Sequence, residues 1–233
     1  MRQFSNRYIF AFSTVMVVIV AVLLSLAATL LQPAQERNLE TEKKKSMLES
    51  IRIPANRQNA VELYDRYIKE SFVINSSGEI LEDVDAFTVV LRNEQRKPAG
   101  QQSLPVFTAM TEEGGQLIIL PLEGKGLWGP INGYISLRQD MNTIYGVTFD
   151  HKGETPGLGA EINTPEFENM FRDKKLFDDQ TFVSVKVIKG GAGEDDVHGV
   201  DAVSGGTITS KGLEDMLFDC LIKYDDYLRG NRN

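Results

Sequence analysis

An uncharged and mostly apolar run occupies residues 9–31, close to the start of the chain. A run of this length can cross a bilayer as a tilted helix. A cleaved secretory signal is the alternative. Secretory signals have a shorter apolar region followed by a small-residue cleavage site, and this chain fits neither feature well. We therefore predict one transmembrane helix at 9–31, preceded by a cytoplasmic N-terminus at 1–8. The charged stretch at 32–56 is predicted to continue as a juxtamembrane helix or linker.

Beyond residue 56 the apolar positions follow two different periods. Segments with three- and four-residue spacing are predicted to be helices, and segments with two-residue alternation are predicted to be strands. The predicted helices are 59–72, 164–175 and a final helix at 207–228. The predicted strands are 86–91, 104–110, 116–122, 131–138, 143–151 and 182–188. This order of elements indicates an α+β domain at 57–233, with a mixed, largely antiparallel sheet and packed helices.

The final helix has the clearest periodicity and follows a glycine pair. Its apolar positions are Leu213, Met216, Leu217, Cys220, Leu221, Tyr224 and Leu228. Immediately before it stands Ser204-Gly205-Gly206-Thr207, with Asp201 three residues earlier. Glycines permit a tight turn, and free N–H groups at a helix start favour an anion such as phosphate. The alternative interpretation is a plain turn with a Ser/Thr helix cap, which is common.

Two further glycine-rich segments have the same mixture of turn residues and apolar side chains. One contains Leu127 and Trp128 between glycines, and the other is Glu154-Thr155-Pro156-Gly157-Leu158-Gly159. Proline fixes φ and glycine permits positive φ, so such a loop can be rigid and still present backbone N–H groups. Neither segment has the spacing of a phosphate-binding P-loop. The alternatives are a simple Pro-Gly turn with Glu154 in solvent and a Trp128 that fills a gap in the core.

Composition excludes several classes of function. The net charge is −8, so a nucleic-acid surface is not expected. A single Cys220 excludes an intramolecular disulfide, and with two histidines a His/Cys zinc site is not expected. We predict no metal site and no NADH site, because the chain lacks a Rossmann GxGxxG fingerprint.

Both glycine-rich signatures resemble motifs of one family. The 201–207 stretch resembles the Ser/Thr-Gly-Ala-Thr flavinylation signature, with Gly206 where alanine is usual. That signature belongs to the C subunit of the Na+-translocating NADH:quinone reductase and to the G subunit of the related Rnf ferredoxin:NAD oxidoreductase. The 154–159 segment is similar to a Glu-Thr-Pro-Gly-Leu-Gly loop of both proteins, and 126–128 is similar to the Gly-Leu-Trp segment of the first.

The resemblance implies a function in electron transfer. FMN would be joined through its phosphate to the hydroxyl of Thr207 by a flavin transferase that uses FAD. Asp201, Ser204, Gly205 and Gly206 would complete the attachment motif, and the loops at 127–128 and 154–159 would orient the flavin ring. The flavin would relay electrons from NADH toward quinone, coupled to sodium export. The partners would be the A, B, D, E and F subunits of the reductase, with the domain on the periplasmic side of a bacterial inner membrane.

Three alternatives remain open from the residues. The chain could be the G subunit of an Rnf complex, which shares both motifs. It could be a membrane-anchored FMN redox sensor. It could also be a tethered interaction domain without a cofactor, which would explain the apolar run and leave the paired glycine signatures unexplained.

Overall fold

The computed structural model describes residues 5–98, 100–112 and 114–232. The first four residues of the predicted N-terminal segment, and Glu113 in the turn predicted between two strands, lie outside the described residues. The chain divides into two compact units, 1–43 and 44–233. Helix α1, Asn6–Ser50, begins in the first unit, where it is long and apolar enough to cross a membrane. The predicted boundaries of the membrane span remain predictions.

The second unit begins earlier than the predicted domain start at residue 57. Met47, Leu48 and Ile51 are almost fully buried in its core, and the Ser50 carbonyl accepts a 2.6 Å hydrogen bond from the Ser136 hydroxyl. The end of α1 is therefore an integral part of the folded domain, because its apolar side chains pack against the sheet rather than forming a free linker.

The second unit contains a six-stranded antiparallel sheet in the order β2-β1-β3-β4-β5-β6. These strands are β1 Ile68–Ile74, β2 Ile80–Leu81, β3 Leu104–Met110, β4 Gln116–Lys125, β5 Pro130–Leu137 and β6 Ile144–His151. Two small sheets join β7 Phe177–Asp178 to β8 Thr181–Phe182, and β9 Lys186–Ile188 in parallel to β10 Gly199–Asp201. The predicted α+β class with a largely antiparallel sheet is confirmed.

Helices complete the domain on both faces of the large sheet. They are α2 Ala60–Tyr67, α3 Leu91–Glu94, α4 Pro165–Asn169, α5 Thr207–Leu221 and α6 Asp225–Gly230, with 3-10 turns at Gly159–Asn163 and Ile222–Tyr224. In β4, Ile118 and Leu120 enter the larger apolar cluster with α5, and Ile119 enters the cluster with α2 and the end of α1. The alternation of side chains along each strand thus supplies two cores.

Helix α5 lies very close to β4. A Cβ built on Gly212 would be 2.2 Å from the Lys125 carbonyl oxygen, and one built on Gly124 would be 2.5 Å from Cβ of Met216. Only glycine permits this approach of a helix to a strand. The contact brings the start of α5 next to the loop that follows β4.

Several predicted elements differ from the structure. The predicted helix 59–72 ends at Tyr67, because residues 68–74 pair with β3 as a strand. The predicted strand 86–91 is a turn in which the Asp85 carboxylate accepts a hydrogen bond from the N–H of Phe87. The side chain of this aspartate competes successfully with sheet pairing.

Two further differences involve residues with positive φ. The predicted helix 164–175 stops at Asn169, and Asp173 with φ of 60° redirects the chain so that Lys174 bonds to β6. The predicted strand 182–188 is interrupted at Ser184, where φ is 59°. The last predicted helix consists of α5, a 3-10 turn and α6, and all seven of its predicted apolar positions are buried.

Candidate functional site

Three loops converge at the start of α5, where Gly126 adjoins Gly212, Gly159 adjoins Thr209 and Leu158 adjoins Gly205. They are the β4–β5 connection at 126–129, the loop at 152–158 after β6, and the turn at 202–206 between β10 and α5. The first loop is closed by a 2.8 Å hydrogen bond from the N–H of Gly126 to the carbonyl of Gly129. All three signature segments of the sequence therefore belong to one region of the domain.

The Glu154 side chain joins these segments. It is only 5% exposed. One carboxylate oxygen accepts a 2.9 Å hydrogen bond from the N–H of Trp128, and the other accepts a 2.5 Å hydrogen bond from the Thr209 hydroxyl. The alternative of a plain Pro-Gly turn with Glu154 in solvent is therefore wrong, because its two partners come from other parts of the chain and enclose it.

The Glu154 carboxyl is ionised at neutral pH despite its burial. Burial raises its pKa, but hydrogen bonds from Thr209, Trp128 and Gly129, together with nearby His151, outweigh that effect and hold the pKa below its usual value. A carboxylate that accepts several hydrogen bonds is stabilised in its charged form. The loops thus meet around a fixed negative charge.

Two glycines of the signature segments make room for this carboxylate. A Cβ on Gly126 would lie 2.5 Å from one Glu154 oxygen, and a Cβ on Gly159 would lie 2.6 Å from the other and 2.4 Å from the Thr209 hydroxyl oxygen. Both glycines are buried. Their position in the sequence is thus explained by close packing around Glu154.

The glycine pair before α5 has two distinct roles. Gly205 has φ of 73°, and a Cβ there would be 2.5 Å from Cδ2 of Leu158. Gly206 has φ of −99°, and its nearest neighbour would be Cγ1 of Val203 at 3.0 Å. Position 205 therefore requires glycine, whereas the backbone at 206 is compatible with alanine.

Thr207 is the first residue of α5 and is exposed. The N-cap is Gly206, without a side-chain hydrogen bond, so the Ser/Thr cap of the plain interpretation is not formed. The nearby Ser210 hydroxyl instead accepts a 3.1 Å hydrogen bond from the N–H of Val203, which ties the turn to the helix. Thr207 is left accessible at the positive end of a 15-residue helix.

Large apolar side chains are exposed on the loops at 126–129 and 152–158 and on the first turn of α5. Trp128 is 69% exposed, and Leu127, Leu158 and Ile208 are 42–60% exposed. Trp128 therefore does not fill a gap in the core. Such side chains on the loops beside Thr207 are suited to covering a flat aromatic ligand.

The other predicted site residues lie on the surface of the domain. Asp201 is exposed and its carboxylate accepts a 2.7 Å hydrogen bond from the N–H of Ala192, so it organises the preceding acidic loop. Ser204, Thr155 and Pro156 are exposed on the loops. Gly157 has φ of 74°, and its N–H donates to the Glu161 carboxylate at 2.8 Å.

Sequence reasoning missed Thr209 and Ile208. Thr209 is 1% exposed and carries the hydroxyl that bonds Glu154, while Ile208 is exposed next to Thr207. A sequence signal was available: Thr209 lies four residues before Leu213, so it continues the buried face of the helix, whereas apolar Ile208 lies off that face.

A cavity of about 340 Å³ is lined by other residues, among them Arg52, Tyr145, Glu168 and Arg172. Burial raises the pKa of Glu168 to about 7, even though its carboxylate accepts a 2.7 Å hydrogen bond from the N–H of Phe149. The convergent loops do not contribute to this cavity, so it is a separate feature of the domain.

Comparisons with known proteins agree on one family. A family model described as the FMN-binding domain matches residues 126–222. The C subunit of the Na(+)-translocating NADH-quinone reductase of Vibrio vulnificus is 32% identical over 210 residues, which cover 83% of this chain and 82% of that protein.

Solved structures of the same subunit, NqrC, share the fold. The protein from Parabacteroides distasonis is 43% identical with a TM-score of 0.78, covering 85% of this chain and 96% of that one. NqrC from Shewanella oneidensis is 26% identical with a TM-score of 0.70, covering 84% and 98%. Because identity of this degree extends over most of both lengths, the chain belongs to the NqrC family, the C subunits of the Na+-translocating NADH-quinone reductase.

Proposed function

We propose that this chain is the flavin-carrying electron-relay subunit of a Na+-translocating NADH:quinone reductase, with FMN joined through a phosphoester to Thr207. The observation that carries the proposal is an exposed Thr207 at the start of α5, beside two loops, 126–129 and 152–158, with exposed apolar side chains. Membership of the NqrC family and the FMN-binding domain at 126–222 support the same cofactor.

The residues present fit a phosphate-linked flavin. A phosphate on Thr207 would lie at the N-terminus of α5, where the helix dipole favours negative charge. Leu127, Trp128 and Leu158 would cover the ring, and the loop at 154–159 would supply backbone polar groups to its edge. Asp201, Ser204 and Gly205 are exposed and would form the surface that the maturation enzyme recognises, and buried Gly206 would complete the motif by shaping the turn.

Attachment follows from simple group transfer. The Thr207 oxygen attacks the FMN phosphorus of FAD, the pyrophosphate bond breaks, AMP leaves, and the hydroxyl proton passes to solvent or to a base of the transferase. When bound, FMN supplies the redox chemistry, and the protein holds it and excludes other reactions. A covalent bond keeps the cofactor in place on the periplasmic side of the membrane, where lost FMN is not easily recaptured.

The proposal also covers where the chain lies in the cell and which subunits it works with. We propose that residues 9–31 anchor the chain in the bacterial inner membrane, that the domain faces the periplasm, and that it works with the A, B, D, E and F subunits. Electrons from NADH would reach this flavin through another subunit and continue toward quinone, coupled to sodium export. The Rnf G subunit and a stand-alone sensor are less favoured, because the alignment covers 82% of an NqrC relative.

The test is Thr207→Ala in a host that contains the flavin transferase. We expect a folded chain with no FMN adduct, because the hydroxyl is the attacking group and Thr207 is exposed. Intact mass and in-gel fluorescence under denaturing conditions measure the adduct. Thr181→Ala is the control, since it removes the hydroxyl of an exposed threonine outside the signature segments and should retain the adduct. Covalent FMN in the Thr207→Ala protein would refute the attachment site.

A further inference from the structure

Glu154 connects parts of the chain that are far apart in sequence. Its carboxylate bonds the N–H of Trp128 in the β4–β5 loop at 2.9 Å and the Thr209 hydroxyl in α5 at 2.5 Å. Its own N–H lies 3.3 Å from Nδ1 of His151 at the end of β6. One side chain therefore contacts all the elements that carry the exposed apolar residues and Thr207.

The space around the carboxylate is closely fitted. Gly126 and Gly159 lie on either side, and a Cβ on either would come within 2.6 Å of a carboxylate oxygen. The Thr209 hydroxyl belongs to a residue that is 1% exposed. Both carboxylate oxygens are occupied by donors, and charge-assisted hydrogen bonds of this kind are shorter and stronger than neutral ones.

We propose that Glu154 is the positioning residue of the flavin site, whose carboxylate fastens the Trp128 loop to the first turn of α5 and so sets the ring's orientation and electrostatic environment. The inference rests on the proposed function, because it assigns to Glu154 the support of the site in which Thr207 carries FMN. Glu154 acts through Trp128 and Thr209 and does not itself carry the cofactor.

The charge on Glu154 has a second consequence. Reduction adds electrons to the flavin, and a nearby fixed negative charge disfavours any increase in negative charge on the ring. The carboxylate therefore lowers the flavin's reduction potential as well as fixing the loop. A neutral isostere should loosen the loop and raise the potential together.

The experiment compares the full-length chain, with and without co-expressed transferase, as wild type, Glu154→Gln, Thr209→Val and the variant with both substitutions. Glutamine keeps the volume of glutamate but is neutral, and its single amide oxygen cannot replace both carboxylate oxygens as acceptors. Valine keeps the shape of threonine but removes the hydroxyl donor. Hydrogen exchange by mass spectrometry reports on the peptide around Trp128, and redox titration gives the potential of the flavin-loaded protein. Glu166→Gln is the control, since this glutamate is exposed on α4.

In Glu154→Gln, we expect amide exchange around Trp128 to be about tenfold faster or more, as follows from loss of a hydrogen bond to a charged group. The flavin potential should become more positive while the covalent adduct remains. Thr209→Val should increase exchange less, and the double variant should exchange no faster than Glu154→Gln, because both substitutions break one network.

The outcomes separate this inference from the proposed function. A wild-type chain without an FMN adduct would refute the attachment, whereas the exchange measurement on flavin-free protein would still test the role of Glu154 in the loop. Unchanged exchange and potential in Glu154→Gln with FMN attached would refute the inference alone. If Glu154→Gln does not fold, Thr209→Val decides, and wild-type exchange and potential in that variant would overturn the proposal.

Discussion

The contact between α5 and β4 predicts that Gly212→Ala destabilises the domain. A Cβ at this position would lie 2.2 Å from the Lys125 carbonyl oxygen and 3.4 Å from Cα of Gly126. Ordinary carbon–oxygen contacts are about 3.3 Å or longer, so the helix must retreat by about 1 Å. Both atoms belong to the backbone, so no side-chain rotation relieves the clash.

Two effects of opposite sign determine how much Gly212→Ala changes the free energy of unfolding. Alanine in a helix interior is favoured over glycine by about 1 kcal/mol. Overpacking a tight contact costs about 1–3 kcal/mol, and a backbone clash belongs at the upper end of that range. The net loss in the free energy of unfolding is therefore about 2 kcal/mol, which lowers Tm by about 4–8 °C for a domain of this size.

Thermal unfolding of the full-length chain in detergent, followed by far-ultraviolet circular dichroism, measures this loss. Gly230→Ala is the matched control, because α6 has open space at that position and the same glycine-to-alanine change should not destabilise. FMN incorporation should also fall in Gly212→Ala, since the start of α5 moves away from the 126–129 loop. A Gly212→Ala protein as stable as wild type would refute the argument that backbone contact determines the position of the helix.

Two further predictions concern Glu168 and Gly206. Burial raises the pKa of Glu168 from 4.5 to about 7, so its contribution to stability is fully present below pH 4.5 and is lost as pH rises through 7. The loss is at most about 3 kcal/mol, reduced to roughly 1–2 kcal/mol by solvent screening. Glu168→Gln should therefore be more stable than wild type at pH 8 and equal to it near pH 4.5, and parallel Tm–pH curves would contradict this. Gly206→Ala should be tolerated with at least wild-type FMN content by intact mass, because φ there is −99° and the Val203 side chain at 3.0 Å can move. Cα of Gly159 at 3.3 Å requires a small backbone shift of about a few tenths of an ångström. A marked fall in adduct would contradict this prediction.

The site could be located from sequence but its internal contacts could not. Two glycine-rich signatures, a helix start and a tryptophan loop are local patterns, and the structure brings all of them to one end of α5. The motif marked Glu154 as a candidate site residue, but no local pattern identifies its hydrogen-bond partners, because Trp128 and Thr209 lie 26 and 55 residues away. Asp201 belongs to the attachment motif by resemblance, yet its side chain bonds Ala192.

The spacing of neighbouring residues is enough to predict the apolar run, the α+β class, the buried face of the last helix and the Thr207 hydroxyl at its start. The tertiary structure shows where local preference gives way, as at residues 68–74, where pairing with β3 replaces the helix. It also decided which glycines permit close packing and which permit positive φ, because the two kinds of glycine are identical in sequence. The burial of a charged group likewise depends on donors from distant segments, whose convergence no local pattern encodes.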